Sequence, residues 1–185
     1  MTDKKTLRRQ CLAERDDIPE ETKAEIEKAI HAKLFELKEY RDASLILTYV
    51  SAGSETGTKA IITDALGRGK KVAVPYIENG EMSFRFINSL SDLAEGKYGI
   101  PTSKLDEEVS DFSSCLCVTP ALCADVSLYR LGYGGGYYDR FFEKQKDIFR
   151  AVLCPEALVS ESIPHEAHDI PAHCIITESK IRRCY

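Results

Sequence analysis

The residues with the plainest capacity for chemistry lie together at Arg130-Leu131-Gly132-Tyr133-Gly134-Gly135-Gly136-Tyr137-Tyr138-Asp139-Arg140. Four glycines in the five positions 132–136 leave backbone N–H groups clear of side chains and able to face an anion. A helix beginning at Tyr137 would add its own unpaired N–H groups and the positive end of its dipole. Together these make a phosphate cradle, and Arg130 at its entrance supplies the fixed positive charge that a polyphosphate needs. This is not a Walker A loop, because Tyr137 stands where the lysine of Gly-Lys-Ser/Thr would begin. Nor is it a Rossmann fingerprint, which follows an N-terminal strand directly, whereas this segment lies late in the chain. The alternative is a glycine-rich turn packed by Tyr137 and Tyr138 for structural reasons alone.

Around this segment stand groups that chemistry could recruit. Asp139, on the first turn of the predicted helix, suits Mg²⁺, a hard ion that takes carboxylate and phosphate oxygens. Equally, it suits the helix N-terminus, or a pair with Arg140. Lys4 and Arg8, at i and i+4, point from one helical face, either toward a nucleotide or into solvent. Glu55 sits in a loop after a strand, where a carboxylate can accept two N–H bonds from an amidine-like heterocycle edge; simple exposure is the other reading. His31, His165, His168 and His173 form no nucleophile–base or metal spacing and are expected in surface or loop roles. Tyr49, Phe84 and Phe86 are expected in the core.

These groups must be held by secondary structure, and the pattern is strand–helix alternation. Thr2 or Asp3 can cap a helix running to about Arg15, with Leu7 and Cys11 on one face. Asp16-Asp17-Ile18-Pro19 breaks it, with Pro19 suited to the first turn of the next helix. There Ile26, Ala29, Ile30, Leu34 and Leu37 recur at helical spacing. Ser44–Val50 reads as a buried strand, Ser51–Gly57 as a loop, and Thr58–Leu66 as a helix stopped by Gly67 and Gly69. Lys71–Ile77 and Met82–Ile87 flank Asn79-Gly80, the strongest short hairpin signal. Leu116–Thr119 is a strand ending at Pro120, and Tyr137–Gln145 a helix. Ala151–Cys154 and Cys174–Thr177 read as the last two strands. The expectation is a single α/β domain over 1–185, its central sheet mostly parallel, flanked by helices, with one inserted hairpin. Ligands bind such sheets at the carboxyl ends of the strands, so the loops after Val50, Pro120 and Cys154 should converge.

Composition bounds the function. The 185 residues carry 25 Lys+Arg against 30 Asp+Glu, a net charge of −5, and 43% are hydrophobic. That describes an ordinary globular protein with material for one good core. The acidity argues against nucleic-acid binding, which needs a basic face. No run approaches a membrane span, and Met1-Thr2-Asp3-Lys4-Lys5 leads into charge rather than an apolar signal segment. The 7 cysteines, Cys11, Cys115, Cys117, Cys123, Cys154, Cys174 and Cys184, make no Cys-x2-Cys pair, so zinc is not expected. Reduced, mostly buried thiols in a cytoplasmic protein are expected instead.

Taken in order, these motifs resemble the 5-formyltetrahydrofolate cyclo-ligase (methenyltetrahydrofolate synthetase) family over nearly the whole chain. The resemblance runs through Lys4-x-x-Leu7-Arg8, Glu55-Thr56-Gly57-Thr58, Val72-Ala73-Val74-Pro75, Met82-x-Phe84 and Tyr98-Gly99-Ile100. It is most specific at Arg130–Arg140 and continues to His168-Asp169-Ile170-Pro171 and Ile175-Ile176-Thr177-Glu178. It implies a monomeric, cytoplasmic ATP-dependent ligase with a sugar isomerase/CoA-transferase-like architecture. Such an enzyme closes 5-formyltetrahydrofolate to 5,10-methenyltetrahydrofolate through a phosphorylated, imidate-like species, releasing ADP and phosphate. By position, Lys4, Arg8 and Arg130–Tyr138 would bind ATP, and Val50 and Glu55 the folate. Asp139 would hold Mg²⁺, while Arg130 and Tyr138 would stand at the reacting groups. Two positions depart from the family. His173 stands where a second metal-site carboxylate is usual, so Asp169 or water would substitute, and Gly57 replaces an acid. A sugar-phosphate isomerase or CoA-transferase relative, or a non-catalytic folate- or nucleotide-binding module, are the other readings.

Overall fold

The computed structural model describes residues 3–183, the side chain of Tyr98 excepted. Helix α1 (Lys4–Asp16) begins at Asp3, whose Oδ1 accepts from the backbone N–H of Lys5 and Thr6 at 2.9 and 3.0 Å. The other candidate cap, Thr2, lies outside the described residues, as does Cys184. Pro19 sits one place earlier than expected, at the N-cap of α2 (Glu20–Glu36) with an extended ψ of 144°. A short α3 (Lys38–Asp42) follows. Then come β1 (Leu45–Thr48), α4 (Lys59–Gly67) and the hairpin β2 (Lys71–Glu78) and β3 (Glu81–Ile87). Both turn residues have positive φ, 50° at Asn79 and 81° at Gly80, the signature of a two-residue type I′ turn.

Next are β4 (Leu93–Glu95), β5 (Pro101–Ser103), β6 (Cys115–Thr119), β7 (Cys123–Asp125) and β8 (Arg130–Leu131). Helix α5 (Tyr137–Lys144) precedes β9 (Phe149–Leu153), β10 (Val159–Ser160), β11 (Cys174–Ile176) and β12 (Ile181–Arg183). Seven strands form the main sheet, in the order β12-β11-β9-β6-β1-β2-β3. Its interior pairs are parallel, and only the two edge pairs, β2–β3 and β11–β12, are antiparallel. Strand β12 corrects the expectation that Cys174–Thr177 ends the sheet. At three residues, β12 is too short to show a period, and the same holds for the small sheets β10-β7-β8 and β4-β5.

The sheet is covered on both faces, so its strands read as continuous apolar runs. Ile46, Val72, Val74, Leu116 and Val118 face α2 and α4, meeting Ile30, Leu34, Ile61 and Ile62. Leu45, Leu47, Cys115 and Cys117 face the other way, onto Phe84 of β3 and Phe141 and Phe142 of α5. Cys115 and Cys117 therefore share one face, as residues two apart in a strand must. The six described cysteines are all buried and unpaired, and burial pushes the thiols of Cys115, Cys154 and Cys174 up to about 12. A third cluster docks Cys11 of α1 against Leu122, Leu131, Cys154 and Ile175. This docking lays α1 beside the segment that follows β8. No helix among the described residues is long and apolar enough to cross a membrane.

Candidate functional site

At the carboxyl ends of β1 and β6 the chain leaves one large cavity of about 1260 Å³. That exceeds the ~300–1000 Å³ of a single drug-sized ligand site, so two medium ligands fit side by side. The loops after Val50 and Pro120 converge on it. The loop after Cys154 does not, correcting that expectation. Its Glu156 is instead tied to Thr177 at 2.6 Å and to Arg182, closing the far edge of the sheet. The remaining wall comes from α1, the β2–β3 hairpin, residues 99–101, the 130–143 segment and residues 166–169.

The glycine segment forms one side. Gly134 has φ +101° and Gly136, the N-cap of α5, has φ +64°, conformations that an L side chain rarely adopts. Apolar packing of Phe141 and Phe142 fixes the axis of α5, so its N-terminus opens into the cavity. Beside it, Lys4 and Arg8 both line the cavity from one face of α1. Arg8 Nε donates to Gly132 O at 2.9 Å, and its guanidinium lies so close that a Cβ on Gly134 would sit 3.2 Å from Cζ. Lys4 Nζ lies 2.6 Å from Asp169 Oδ2 and 3.1 Å from Glu166 Oε1. Burial works against the charge of Lys4, but these two carboxylates outweigh it and raise its pKa.

The base of the glycine segment is closed by a pair that differs from the one expected. Asp139 meets Arg130, not Arg140: Arg130 Nη2 donates to Asp139 Oδ1 at 2.9 Å, and Nη1 donates to Ile170 O at 2.7 Å. Ile170 N–H donates to the same Asp139 oxygen at 3.1 Å. Arg130 is only 5% exposed, so part of its charge is spent on holding the loop to the 166–170 segment. Arg140 instead donates to Gly135 O at 2.9 Å and stacks 5.0 Å from the Tyr137 ring centroid. Asp139 Oδ2 remains as an acceptor. One carboxylate oxygen, phosphate oxygens and water make an acceptable set for Mg²⁺, which usually keeps several waters. No cluster of three or more His, Cys, Asp or Glu exists among the described residues to bind an ion without a phosphate ligand.

Tyr138 packs edge-on to Phe84, with ring centroids 6.4 Å apart. Its hydroxyl is buried and has no hydrogen-bond partner, a condition costing about 1–3 kcal/mol unless a ligand atom supplies one. Burial, with the negative charges nearby, holds its pKa well above the ordinary tyrosine value, so it stays a donor. Val50 is buried at the wall, and Glu55 accepts from Ala52 N–H at 2.8 Å with one carboxylate oxygen. Tyr133 and Leu131 complete the list of expected residues; the first is 53% exposed and the second is buried in β8.

Several residues lie elsewhere than their spacing suggested. His173 does not line the cavity. Its Nδ1 accepts from Arg150 N–H at 3.0 Å and its ring stacks on Phe149, so it cannot stand in for a metal-site carboxylate. Asp169 does line the cavity, held by Lys4. A Cβ on Gly57 would sit 2.7 Å from Glu27 Oε2, so a side chain there would have to displace the Glu27 carboxylate. Glu27 supplies the carboxylate instead, accepting from Gly57 N–H at 2.6 Å. His31 is half-buried on α2 against Gly57 O, and His165 stacks on Tyr129 at 3.8 Å. Tyr49 and Phe84 are core residues as expected, although Tyr49 also reaches the cavity. Arg15 was missed. The signal was present, because Lys4, Arg8 and Arg15 follow one helical stripe.

Residues 1–178 match the model of the 5-formyltetrahydrofolate cyclo-ligase family. The 5-formyltetrahydrofolate cyclo-ligase of Escherichia coli K12 is 29% identical over 149 residues, 75% of this chain and 80% of that protein. That of Mycolicibacterium smegmatis is 28% identical over 187 residues, covering 96% of this chain and 94% of the relative. The solved structure of Aquifex aeolicus 5,10-methenyltetrahydrofolate synthetase superposes with a TM-score of 0.84 at 27% identity, spanning 97% of this chain and 92% of the other.

Proposed function

The chain belongs to the 5-formyltetrahydrofolate cyclo-ligase family, and from that footing we infer the division of labour in its cavity. The reaction is ATP-dependent closure of 5-formyltetrahydrofolate to 5,10-methenyltetrahydrofolate, with ADP and phosphate released. An N-formyl group resists attack by the internal amine because its carbonyl is resonance-stabilised and hydroxide is a poor leaving group. The formyl oxygen attacks the γ-phosphorus, the bond to ADP breaks, and the formyl oxygen becomes a phosphate ester of an imidate-like carbon. The N10 lone pair then adds to that carbon, closing a five-membered ring. The C–O bond breaks, and phosphate and the N10 proton are released.

This sequence needs positioning and charge stabilisation rather than a protein nucleophile. ATP lies along Gly132–Gly136, with backbone N–H groups of the segment and of the α5 N-terminus on its phosphates. Lys4, Arg8 and Arg130 balance its charge, and Leu131, Tyr133, Tyr137 and Tyr138 shape the walls. Asp139, whose second carboxylate oxygen accepts no hydrogen bond among the described residues, would hold Mg²⁺; when bound, the ion would offset phosphate charge. Val50 and Glu55 take the folate, Glu55 on the pterin edge. Tyr138 donates its orphaned hydroxyl hydrogen to an oxygen at the junction of the two substrates. The enzyme works as one unit over residues 1–185 and as a monomer. It works in the cytoplasm, as buried, unpaired thiols suit.

The observation that carries this reading is a single cavity, large enough for both substrates, that both the glycine segment and Glu55 line. A spectrophotometric assay with 5-formyltetrahydrofolate and MgATP, with controls omitting each, tests it. Methenyltetrahydrofolate absorbance and equimolar ADP are the expected result. Product without ADP would point to isomerase- or transferase-type chemistry, and binding without product to a non-catalytic module; either outcome overturns the proposal.

A further inference from the structure

Arg15 is 3% exposed, yet it lines the cavity near the end of α1. Its guanidinium reaches three segments remote in sequence. Nε donates to Ser54 Oγ at 3.1 Å, Nη1 to Ala121 O at 3.2 Å, and Nη2 to the Tyr133 hydroxyl oxygen at 2.8 Å. Ser54 Oγ in turn donates to Asp16 Oδ1. Ser54 immediately precedes Glu55, Ala121 follows Pro120, and Tyr133 stands inside the glycine segment. One planar, rigid fork therefore holds the folate-side loop, the loop after β6 and the phosphate-side loop at once. A lysine could not do this, since its single ammonium reaches one point rather than three.

Taking the two-substrate reading above as given, we propose that Arg15, acting through the Tyr133 hydroxyl, couples the two halves of the cavity, so that nucleotide bound at the glycine segment tightens folate binding at Glu55. Arg15 is a positioning residue: it acts through Ser54 and Tyr133. When phosphates settle the 132–136 backbone, they fix Tyr133. Its hydroxyl then fixes the guanidinium, and the guanidinium fixes Ser54 beside Glu55. Ordering one loop thus removes part of the ordering cost at the other, which is positive cooperativity. The linkage is reciprocal, so folate tightens nucleotide by the same factor.

The test measures the dissociation constant of 5-formyltetrahydrofolate by calorimetry, with and without a non-hydrolysable ATP analogue plus Mg²⁺. In the unmodified enzyme the analogue is expected to strengthen folate binding about 5-fold or more, the lower end of ordinary coupling. Tyr133→Phe removes one hydroxyl from a half-exposed ring and leaves the core alone, so folding is not at issue. It is expected to bring the factor below about 2-fold, whatever it does to the nucleotide bound alone. Arg15→Lys is expected to do the same, with a thermal melt reporting whether it stays folded. A purely structural role would weaken both ligands alike and leave the factor intact, which overturns the inference. A factor near one in the unmodified enzyme overturns it too, without touching the assignment of the reaction. Failure of both ligands to bind would sink the two-substrate reading and this inference together.

Discussion

Replacing Gly134 with alanine tests the phosphate-binding segment at its tightest point. At φ +101° an L side chain is strained, and left-handed backbone costs about 1–2 kcal/mol for a non-glycine residue. The new Cβ would also stand 3.2 Å from Arg8 Cζ and 3.5 Å from its Nε and Nη1, so the guanidinium must back away or the loop must tilt. Either movement disturbs the 2.9 Å bond from Arg8 Nε to Gly132 O, and a bond to a charged group is worth about 1.5–3 kcal/mol. The two penalties do not add, because relieving one incurs the other. A loss of about 1–3 kcal/mol falls on ATP, a rise in its KM of roughly 5- to 150-fold. The folate KM, measured at saturating ATP, is expected to stay within about 3-fold. Gly134 is exposed, so the core is spared and Tm should fall by no more than about 5 °C. Gly67→Ala, where an added Cβ meets nothing within 4 Å, is the control and should leave both KM values unchanged. An unaltered ATP KM in Gly134→Ala, with the melt intact, would refute the claim that triphosphate lies against this segment.

Asp139→Asn keeps an acceptor for Ile170 N–H but removes the carboxylate charge; a Mg²⁺ titration of turnover should shift at least about 10-fold, and an unshifted curve would exclude the metal role. Asp139→Ala should in addition lower stability by about 3–5 kcal/mol in chemical denaturation, because it leaves the buried Arg130 without its counter-charge. Glu55→Gln should raise the folate KM about 10-fold or more with little change for ATP; equal effects on both would contradict its placement on the pterin edge. The Arg182 hydrogen bond, against opposing burial, holds the Glu156 carboxyl down at about 2, below its ordinary 4.5. Its contribution to stability is therefore complete above pH 4.5 and disappears as pH falls toward 2. With its side chain 30% exposed, the discounted effect is about 1–3 kcal/mol, and the stability gap between the unmodified protein and Glu156→Gln should narrow over that window.

Much of the fold was written locally. The Asn79-Gly80 turn, the apolar stripe of α2 and the runs at β1 and β6 each carry their own period or turn chemistry, and each appears where it was expected. So did the pairing of Lys4 and Arg8 on one helical face. What was illegible depends on distance along the chain. Nothing in the spacing of α1 says that Arg15 will meet Tyr133, 118 residues later, or that Asp139 will prefer Arg130 to its neighbour Arg140. His173 was matched by order along the sequence, but order does not say which side of a sheet a side chain occupies. Strands of two or three residues, such as β8 and β12, present too few side chains for alternation to register.

The carboxylates around Lys4 and Arg130 have an effect on selectivity. Lys4 rests on Asp169 and Glu166, and Arg130 on Asp139, so the cavity neutralises much of its own positive charge. An incoming anion must compete with partners already seated at 2.6–3.1 Å. The internal ion pairs thus set an electrostatic threshold that any bound anion meets before shape is read.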